Sequence, residues 1–431
     1  MTKSSTVTTG GRAAERWWAA GCLLLCWSLL GGCSSDDEQD GPDEIDLLAE
    51  PDVAGRWPAA VPADFTLHDL GVVTSEGGFT EPLEFTSDEQ TQALHVIGIS
   101  HPGTFVLLTE AIAPDGSVWV SPEPAEPVGP DEDRYFSGFP GPALSPNRVV
   151  ARPQAAAALL PNTPALAMQP GTWSFRLGAY AVHYDDAADR YDNEPLTAAM
   201  RVGVLERRVA PPTQGHVDLT LTFAAGGSSG SGTIDASTAP DDPVLQQALA
   251  FIDDSLGTVG VRLGEVTYQE APTVNTRVDL GGPACLGGPS VEQAFDAAPE
   301  PQPGALQVLF IDMFACEITE GVDVGPLFGG VANGIPGRPL APRDGLVVST
   351  RAMTSAPDLW EKVLAHEMGH FLGVFHTCES DDLACDNIAD TPEGPEAVAN
   401  LMYPDLSQVT DFSFTAQQGE VLRLSPLVQA D

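Results

Sequence analysis

The most informative part of the sequence is the stretch His366-Glu-Met-Gly-His-Phe-Leu-Gly-Val-Phe-His376. Its first two histidines, His366 and His370, are four residues apart, so on an α-helix both imidazoles lie on one face. Glu367 stands directly beside the first of them. The spacing therefore predicts a helix that presents two histidines and a carboxylate together, with His376 following after the helix ends.

A turn after this helix is predicted at Gly373, because a residue without a Cβ adopts a positive φ at little cost. Such a turn brings His376 back to His366 and His370. Three neutral imidazoles leave a fourth position for water, which is the open coordination of a catalytic zinc site. A carboxylate beside that water can take its proton. The pattern therefore predicts Zn²⁺ held by three histidines, with Glu367 as the general base.

Capping residues indicate where this helix and the neighbouring elements begin. Ser355 and Asp358 form a potential capping box for a helix over residues 356–372. Asp242 is a fitting N-cap for a second helix over residues 243–257, which begins with proline. The other expected elements are strands over residues 217–223, 306–311 and 345–349, and a last helix over residues 415–424 with Gln418 in its cap. Strands that alternate with helices indicate an α/β arrangement.

Residues 51–208 have a different pattern, with short alternating runs that proline and glycine interrupt. In Gly171–Leu177, for example, every second residue from Trp173 onward is apolar. These runs predict a β-sandwich, which is either an accessory domain or a prosegment. Pro211-Pro212 marks the boundary to a second domain, which we expect over residues 209–431.

The histidine stretch resembles the zinc motif of the metzincin metallopeptidases. In that clan a turn containing a methionine lies under the zinc, and Asn400-Leu-Met-Tyr-Pro404 is similar to it, so Met402 is the candidate. The resemblance implies a zinc endopeptidase. Together with the β-sandwich predicted over residues 51–208, this gives a two-domain fold of the α+β/all-β class, in which a metzincin-like α/β catalytic domain follows the N-terminal sandwich. Phe328–Gly334 is then either the edge strand that pairs with an extended substrate or a glycine-rich surface loop.

The segment before the methionine turn resembles an insertion of the pappalysin and cytophagalysin group, in which cysteines accompany an Asp-Thr-Pro sequence. The matching residues here are Cys378, Cys385 and Asp390-Thr-Pro392. Tyr403 departs from that group, because it follows the methionine directly, as in matrixins. The resemblance thus favours a pappalysin-like enzyme with a matrixin-like turn, in which we expect no catalytic role for this tyrosine.

Acidic residues crowd the same loop, and their density allows two interpretations. The candidates are Asp381, Asp382, Asp386 and Asp390. Carboxylate oxygens are the ligands that Ca²⁺ prefers, so the loop could hold a calcium ion. The spacing matches no EF-hand loop, and a solvated acidic loop is the alternative.

The overall charge excludes one class of partner. The chain has 431 residues with 61 acidic and 19 basic side chains, and its net charge is −42. Binding to nucleic acid requires a basic surface, so neither a nucleic-acid site nor a polybasic membrane patch is expected. The partner that the metzincin resemblance implies is a protein or peptide substrate, and the acidic surface is expected to disfavour acidic substrates.

Residues 1–32 have the pattern of a processing segment, with basic residues followed by an apolar run. Leu30-Gly31-Gly32-Cys33 resembles the bacterial lipobox, which implies cleavage before Cys33 and lipidation of its thiol. Residues 33–50 would then form an acidic tether. The expected location is the cell envelope, with this lipid anchor at the outer membrane or cell surface as the single membrane contact. A secreted protein is the alternative.

Export would place the remaining cysteines in an oxidising compartment. Four are left after the signal segment and the lipidated cysteine: Cys285, Cys316, Cys378 and Cys385. Four cysteines allow three pairings, of which we expect Cys378–Cys385 together with Cys285–Cys316. The absence of any C-x-x-C pair argues against a four-cysteine zinc site.

Together these features predict a zinc-dependent endopeptidase that hydrolyses extracellular or envelope proteins through an activated water. The competing hypothesis is a non-catalytic, surface-binding lipoprotein with an inert zinc site. The intact Glu367 favours the enzyme, because a site that performs no chemistry has no need of a base.

Overall fold

The computed structural model describes most of the chain after residue 44. The described ranges are 45–121, 146–185, 190–224, 227–229, 232–280, 289–319, 322–323, 325, 329–378 and 385–431. The expected signal segment and Cys33 lie outside them, as do Cys285, Phe328, Asp381 and Asp382. Within these ranges, no helix is both long and apolar enough to cross a membrane.

The first half of the described chain consists of strands that form one antiparallel sheet. Its strands are Phe65–Glu76 (β1), Phe79–Thr80 (β2), Leu83–Ser87 (β3), Ala93–Ile99 (β4), Phe105–Ile112 (β5), Val118–Val120 (β6), Arg152–Pro153 (β7), Ala155–Leu160 (β8), Gly171–Asp185 (β9), Arg190–Pro195 (β10) and Ala199–Arg207 (β11). Trp173, Phe175 and Leu177 alternate along β9 and are all buried, as their spacing predicts. Among the described residues, no helix occurs before residue 239.

This sheet folds over on itself, so that two layers face each other. Its order is β6-β5-β9-β2-β1-β11-β4-β8, while β3 and β10 also pair with β9 and β7 pairs with β5. The long strand β1 pairs with β11 over most of its length and with β2 at its end. Strands β4, β8 and β11 face β5 and β9 across an apolar core. In this core Trp119 and Trp173 meet edge to face, with ring centroids 4.7 Å apart.

Strand β8 packs on the second half of the chain as well as on its own layer. Side chains alternate along a strand, so neighbouring residues face opposite sides. Ala158 and Leu160 belong to the core of the first half, whereas Ala157 and Leu159 belong to a core shared with the second half. Residues 46–431 accordingly form one compact unit.

The second half contains a second sheet and all five α-helices of the described chain. Its strands are Gly215–Ala224 (β12), Ser228–Ser229 (β13), Gly232–Thr233 (β14), Val261–Ala271 (β15), Arg277–Asp279 (β16), Leu306–Ile311 (β17), Met313–Ala315 (β18), Glu317–Thr319 (β19), Val322–Asp323 (β20), Gly330–Ala332 (β21), Gly345–Ser349 (β22) and Gln429–Ala430 (β23). Its helices are Pro243–Gly257 (α1), Pro289–Ala297 (α2), Thr350–Ser355 (α3), Pro357–Phe371 (α4) and Ala416–Leu422 (α5). The expected α+β/all-β class is thus confirmed at the level of a β-rich chain with few helices.

The main sheet of this half has the order β15-β12-β17-β22-β21, and β23 pairs with β12. The first four strands are parallel, and β21 is antiparallel to β22. An edge strand, which was one of the two expectations for Phe328–Gly334, is therefore present as β21. Helix α4 contacts both β21 and β22, and α1 packs between α4 and β15. The expected catalytic helix thus lies directly against the edge of the sheet.

Two of the expected helices begin as their capping residues predict. The carboxylate of Asp242 accepts hydrogen bonds of 3.0 Å from the amides of Val244 and Leu245, at the start of α1. Thr415 and Gln418 form a reciprocal capping box at the start of α5.

The capping box expected from Ser355 and Asp358 is wrong. Ser355 is the last residue of α3, and its Oγ lies 3.5 Å from the carbonyl oxygen of Ala352. Helix α4 begins only at Pro357 and has no side-chain cap. The physical reason is that α3 is already a helix, capped by Ser349, so the expected capping serine belongs to the end of one helix instead of the start of the next.

Candidate metal centre

Helix α4 and the turn after it bring three histidines together. His366 and His370 lie one turn apart on α4 and are both buried. The helix ends at Phe371, and Gly373 follows with a φ of +113°, in the range that favours glycine. The turn returns the chain to the helix at His376, and the ligand atoms of the three histidines all lie within 4.8 Å of one another.

The Nε2 atoms of these histidines have the separation that one metal ion requires. Nε2 of His376 lies 3.3 Å from Nε2 of His366 and 3.1 Å from Nε2 of His370. Two nitrogens that each bind the same Zn²⁺ at about 2.0–2.1 Å, at a tetrahedral angle, lie about 3.3 Å apart. In the described part of the chain, no other group of three or more His, Cys, Asp or Glu side chains is close enough to hold an ion. The three histidines could therefore hold a metal ion.

Backbone carbonyl groups fix the orientation of two of the rings. Nδ1 of His366 lies 2.8 Å from the carbonyl oxygen of Leu401, and Nδ1 of His370 lies 2.8 Å from that of Val374. Because a carbonyl oxygen only accepts, each Nδ1 carries the hydrogen and each Nε2 presents its lone pair to the shared centre. Burial lowers the pKa of His370 well below its usual value, and His366 and His376 add to this shift. The ring is therefore neutral, as a metal ligand must be.

Glu367 lies beside the three histidines and is held by the edge strand. Its Oε2 accepts a hydrogen bond of 2.7 Å from the amide of Ala332 in β21. Burial raises the pKa of Glu367 to about 7, against the opposing effects of this hydrogen bond and of the nearby His376 and Arg152. A carboxyl group with a pKa near neutrality can both take and return a proton.

Two glycines allow β21 to approach α4 this closely. A Cβ on Gly330 would lie 2.9 Å from Cγ1 of Val363 and 3.1 Å from Cγ of Glu367. A Cβ on Gly329 would lie 3.0 Å from Cγ2 of Val363. These separations are shorter than ordinary contacts between carbon atoms, so larger residues would push β21 away from Glu367. Gly329 and Gly330 belong to the segment for which a glycine-rich surface loop was the alternative expectation. Their lack of a side chain sets the short distance between β21 and α4.

The turn around Met402 packs against the helix that carries the histidines. Met402 is fully buried, and a Cβ on Gly369 of α4 would lie 2.6 Å from its Sδ. The Met402 carbonyl oxygen accepts a hydrogen bond of 3.1 Å from the amide of Thr377, which follows the third histidine directly. Leu401 of the same turn holds the ring of His366. The turn therefore contacts both the helix and the segment that supply the three histidines.

A buried polar pair behind this turn was not predicted from the sequence. Nδ2 of Asn400 donates to Oε1 of Gln418 at 3.0 Å, and Nε2 of Gln418 donates to Oδ1 of Asn400 at 3.3 Å. The same Asn400 oxygen accepts a hydrogen bond of 2.8 Å from the amide of Met402. Helix α5 therefore fixes the turn that orients His366. The sequence singled out Gln418 only through its expected place in the cap of the last helix, and that place does not indicate a bond to Asn400.

One of the two expected disulfides is confirmed and lies just after the third histidine. Cys378 and Cys385 are bonded and also form an isolated antiparallel bridge. Cys316 is disulfide-bonded as well. Its expected partner Cys285 lies outside the described residues, so that pairing stays a prediction.

Two carboxylates of the acidic loop are described, and each accepts hydrogen bonds from the protein, whereas Oδ2 of Asp386 is buried without a partner. Oδ1 of Asp386 accepts hydrogen bonds of 2.6 Å from the Thr391 hydroxyl and 3.2 Å from the Ile388 amide. Oδ2 of Asp390 accepts a hydrogen bond of 3.0 Å from the amide of Gln417. Burial raises the pKa of Asp386 to about 7. The calcium site stays a prediction, because the other two candidates lie outside the described residues.

Comparisons with known proteins add no family assignment. No protein-family model matches the chain, and a search of the curated proteins finds no match. The function is therefore inferred from the geometry of the site and from the sequence.

Proposed function

We propose that the chain is a zinc-dependent endopeptidase with a metzincin-like catalytic region. The observation that supports this most strongly is the convergence of three Nε2 atoms, from His366, His370 and His376, beside the carboxylate of Glu367. That carboxylate in turn lies against the last strand of a sheet. The lipid anchor at Cys33 and the location in the cell envelope stay predictions from the sequence.

The ligands present in the site fit zinc. His366 and His370 are imidazoles whose second ring nitrogen is bound to a backbone carbonyl, as is common for ligands of catalytic zinc. With His376 as the third ligand, one coordination position stays open. When bound, zinc supplies a Lewis acid that polarises the scissile carbonyl group and lowers the pKa of water.

Glu367 performs the proton transfer in this proposal. Its carboxylate takes a proton from the attacking water while the water oxygen bonds to the scissile carbonyl carbon. The same proton then passes from Glu367 to the amide nitrogen, the C–N bond breaks, and the amine leaves. The hydrogen bond from the amide of Ala332 orients the carboxylate for both transfers.

Strand β21 offers main-chain groups to an extended substrate. The amide of Ala332 donates to Glu367, away from β22, whereas the next amide, of Asn333, donates to the Gly345 carbonyl oxygen at 3.1 Å. Because alternate residues of a strand face opposite edges, Gly330 and Ala332 direct their N–H and C=O groups to the side of the catalytic carboxylate. A peptide in extended conformation could add there as a further strand.

The test compares the full-length wild-type protein with Glu367→Gln on a denatured protein and a peptide library. We expect cleavage within chains by the wild type and a loss of about 10²–10⁴-fold in the variant, because the proton acceptor is removed. Zinc content should be equal in both, since glutamine leaves the three histidines in place. Glu361→Gln, which changes a residue of α4 that bonds to Gln247 on the surface, is the matched control.

Two results would contradict the proposal. One is equal activity of the wild type and Glu367→Gln. The other is no cleavage by a wild-type protein that contains zinc, which is the outcome that a surface-binding lipoprotein with an inert site predicts.

A further inference from the structure

The first half of the chain lines the turn that carries the third histidine. The guanidinium carbon of Arg148 lies over the ring of Phe375, 5.0 Å from its centroid. Cδ2 of Leu159 lies 3.0 Å from the position that a Cβ on Gly373 would take. These contacts place the segment from Arg148 to Leu159 along the turn that leads to His376.

This lining is held in place by contacts between the two halves, because buried side chains of the first half bond to carbonyl groups of the second half. Arg207 is 1% exposed, and its Nη1 donates to the carbonyl oxygen of Arg423 at 3.0 Å. His95 is fully buried, with Nε2 3.4 Å from the carbonyl oxygen of Leu424. Removing the first half would break these contacts and expose the shared apolar core. The segment along the metal-site turn is therefore a wall of the site within one compact unit.

Arg152 lies on this wall, between the two points of contact. Its backbone is fixed in β7, where it pairs with Val106 of β5. Among the described residues, the Arg152 side chain forms no hydrogen bond or ion pair, and its Nε is buried without a partner. A partly buried guanidinium with no partner is costly unless an anion or an acceptor compensates it. The side chain therefore has unused capacity to bind an anion.

The nearest carboxylates do not supply that anion. The charges of Asp344, Glu367 and Glu292 all act on Arg152. Asp344 and Glu292, however, are hydrogen-bonded to Arg338 at 3.0 Å each. Glu367 is bonded to the edge strand. The charge of Glu367 therefore acts on the Arg152 guanidinium, but no direct contact with these three carboxylates neutralises it.

We propose that Arg152 forms a substrate subsite for a carboxylate, so that the peptidase prefers peptides with a carboxylate near the scissile bond. This inference rests on the proposed function. A guanidinium binds a carboxylate through two N–H groups at once, which gives both affinity and orientation. An acidic side chain and a free C-terminus supply the same group. The local preference is opposite to that expected from the net charge of −42.

The first test uses matched peptides that carry either glutamate or glutamine near the scissile bond, each with a free or an amidated C-terminus. For the full-length wild type we expect kcat/KM to be about 10–100-fold higher for the peptide with the carboxylate, as for a charge-assisted hydrogen bond. Arg152→Gln should abolish this ratio, because it lowers kcat/KM for the peptide with the carboxylate by more than it lowers kcat/KM for the amidated glutamine peptide. Arg152→Lys should keep part of the ratio, because the charge remains.

A matched control removes the same charge elsewhere in the first half. Arg176→Gln changes a residue of β9 whose Nε lies 3.4 Å from a Glu110 oxygen, and it should keep the wild-type ratio. A higher kcat/KM for glutamate than for glutamine identifies a side chain as the source of the carboxylate. A higher kcat/KM for the free than for the amidated C-terminus identifies the chain end. Either result supports the subsite.

Binding to Glu367→Gln protein tests the subsite without catalysis. By calorimetry, the glutamate peptide should bind at least about tenfold more tightly than the amidated glutamine peptide, and the added Arg152→Gln change should remove the difference. Equal ratios in the wild type and Arg152→Gln would overturn the proposal. An equal loss for both peptides would also overturn it, because Arg152 would then position the catalytic groups. Failure of the proposed function is distinct, since it appears as no cleavage of any peptide.

Discussion

Replacement of Gly369 by alanine should loosen the metal site, although Gly369 is not a metal ligand. The added Cβ would lie 2.6 Å from Sδ of Met402 and 2.9 Å from Cε1 of Phe414, whereas ordinary contacts begin at 3.4 Å. Met402 is 0% exposed and Phe414 is 5% exposed, so neither side chain can move into solvent. The turn that carries Met402 must therefore shift away from α4.

Two effects of opposite sign contribute to the change in stability. Alanine favours a helix over glycine by about 1 kcal/mol, and overpacking a core costs about 1–3 kcal/mol. Since two contacts must lengthen by about 0.5 Å or more, we expect strain to prevail, with a net loss of about 1–2 kcal/mol in the free energy of unfolding. The shifted turn also carries the Leu401 carbonyl that orients His366, so zinc affinity should fall about 10–100-fold.

Urea unfolding of the metal-free protein measures the first effect, and zinc titration against a competing chelator measures the second. Gly257→Ala in α1 is the control, because the nearest atoms to its new Cβ belong to the Arg262 side chain at 3.6–3.8 Å. This variant should be as stable as the wild type or more stable by up to about 1 kcal/mol. Unchanged stability and unchanged zinc affinity in Gly369→Ala would refute the expectation.

Two further predictions concern buried charge. Burial lowers the pKa of His95 from 6.5 to about 4, so on acidification the unfolded chain takes a proton that the folded chain does not. The free energy of unfolding should therefore fall by about 3 kcal/mol between pH 7 and pH 4 because of this residue. Denaturant titrations at the two pH values should show a smaller fall for His95→Gln than for the wild type. Equal falls in the two proteins would contradict the prediction. Arg338 is buried between Glu292 and Asp344, so Arg338→Met should lower the unfolding free energy by about 3–5 kcal/mol. The exposed Arg262→Met should lower it by less than about 1 kcal/mol, and equal losses in the two variants would refute this reasoning.

The metal-site helix could be predicted because its properties are local. His366 and His370 share a face through the helical repeat alone, whatever packs around them. The positive φ of Gly373 is likewise a property of the turn itself. The cap at Asp242 was predicted correctly for the same reason, whereas the cap at Ser355 failed because a short preceding helix had no clear pattern.

Contacts between distant parts of the chain could not be predicted in this way. Asn400 and Gln418 are 18 residues apart, and nothing in their neighbourhoods indicates that they pair. Strand β8 is apolar on both faces, so alternation cannot show that Leu159 packs toward the metal-site turn while Leu160 packs toward the first core. The charge interaction between Arg152 and Glu367, which are far apart in the sequence, could not be predicted for the same reason.

A zinc titration of chelator-treated protein, with peptidase activity recorded at each addition, is the most direct test of the proposed function. We expect no cleavage without metal and full cleavage at one zinc per chain, because His366, His370 and His376 form one site. His376→Ala should lose both the stoichiometric binding and the activity. Cleavage that survives removal of the metal, or that does not follow the occupancy of this site, would contradict the proposal.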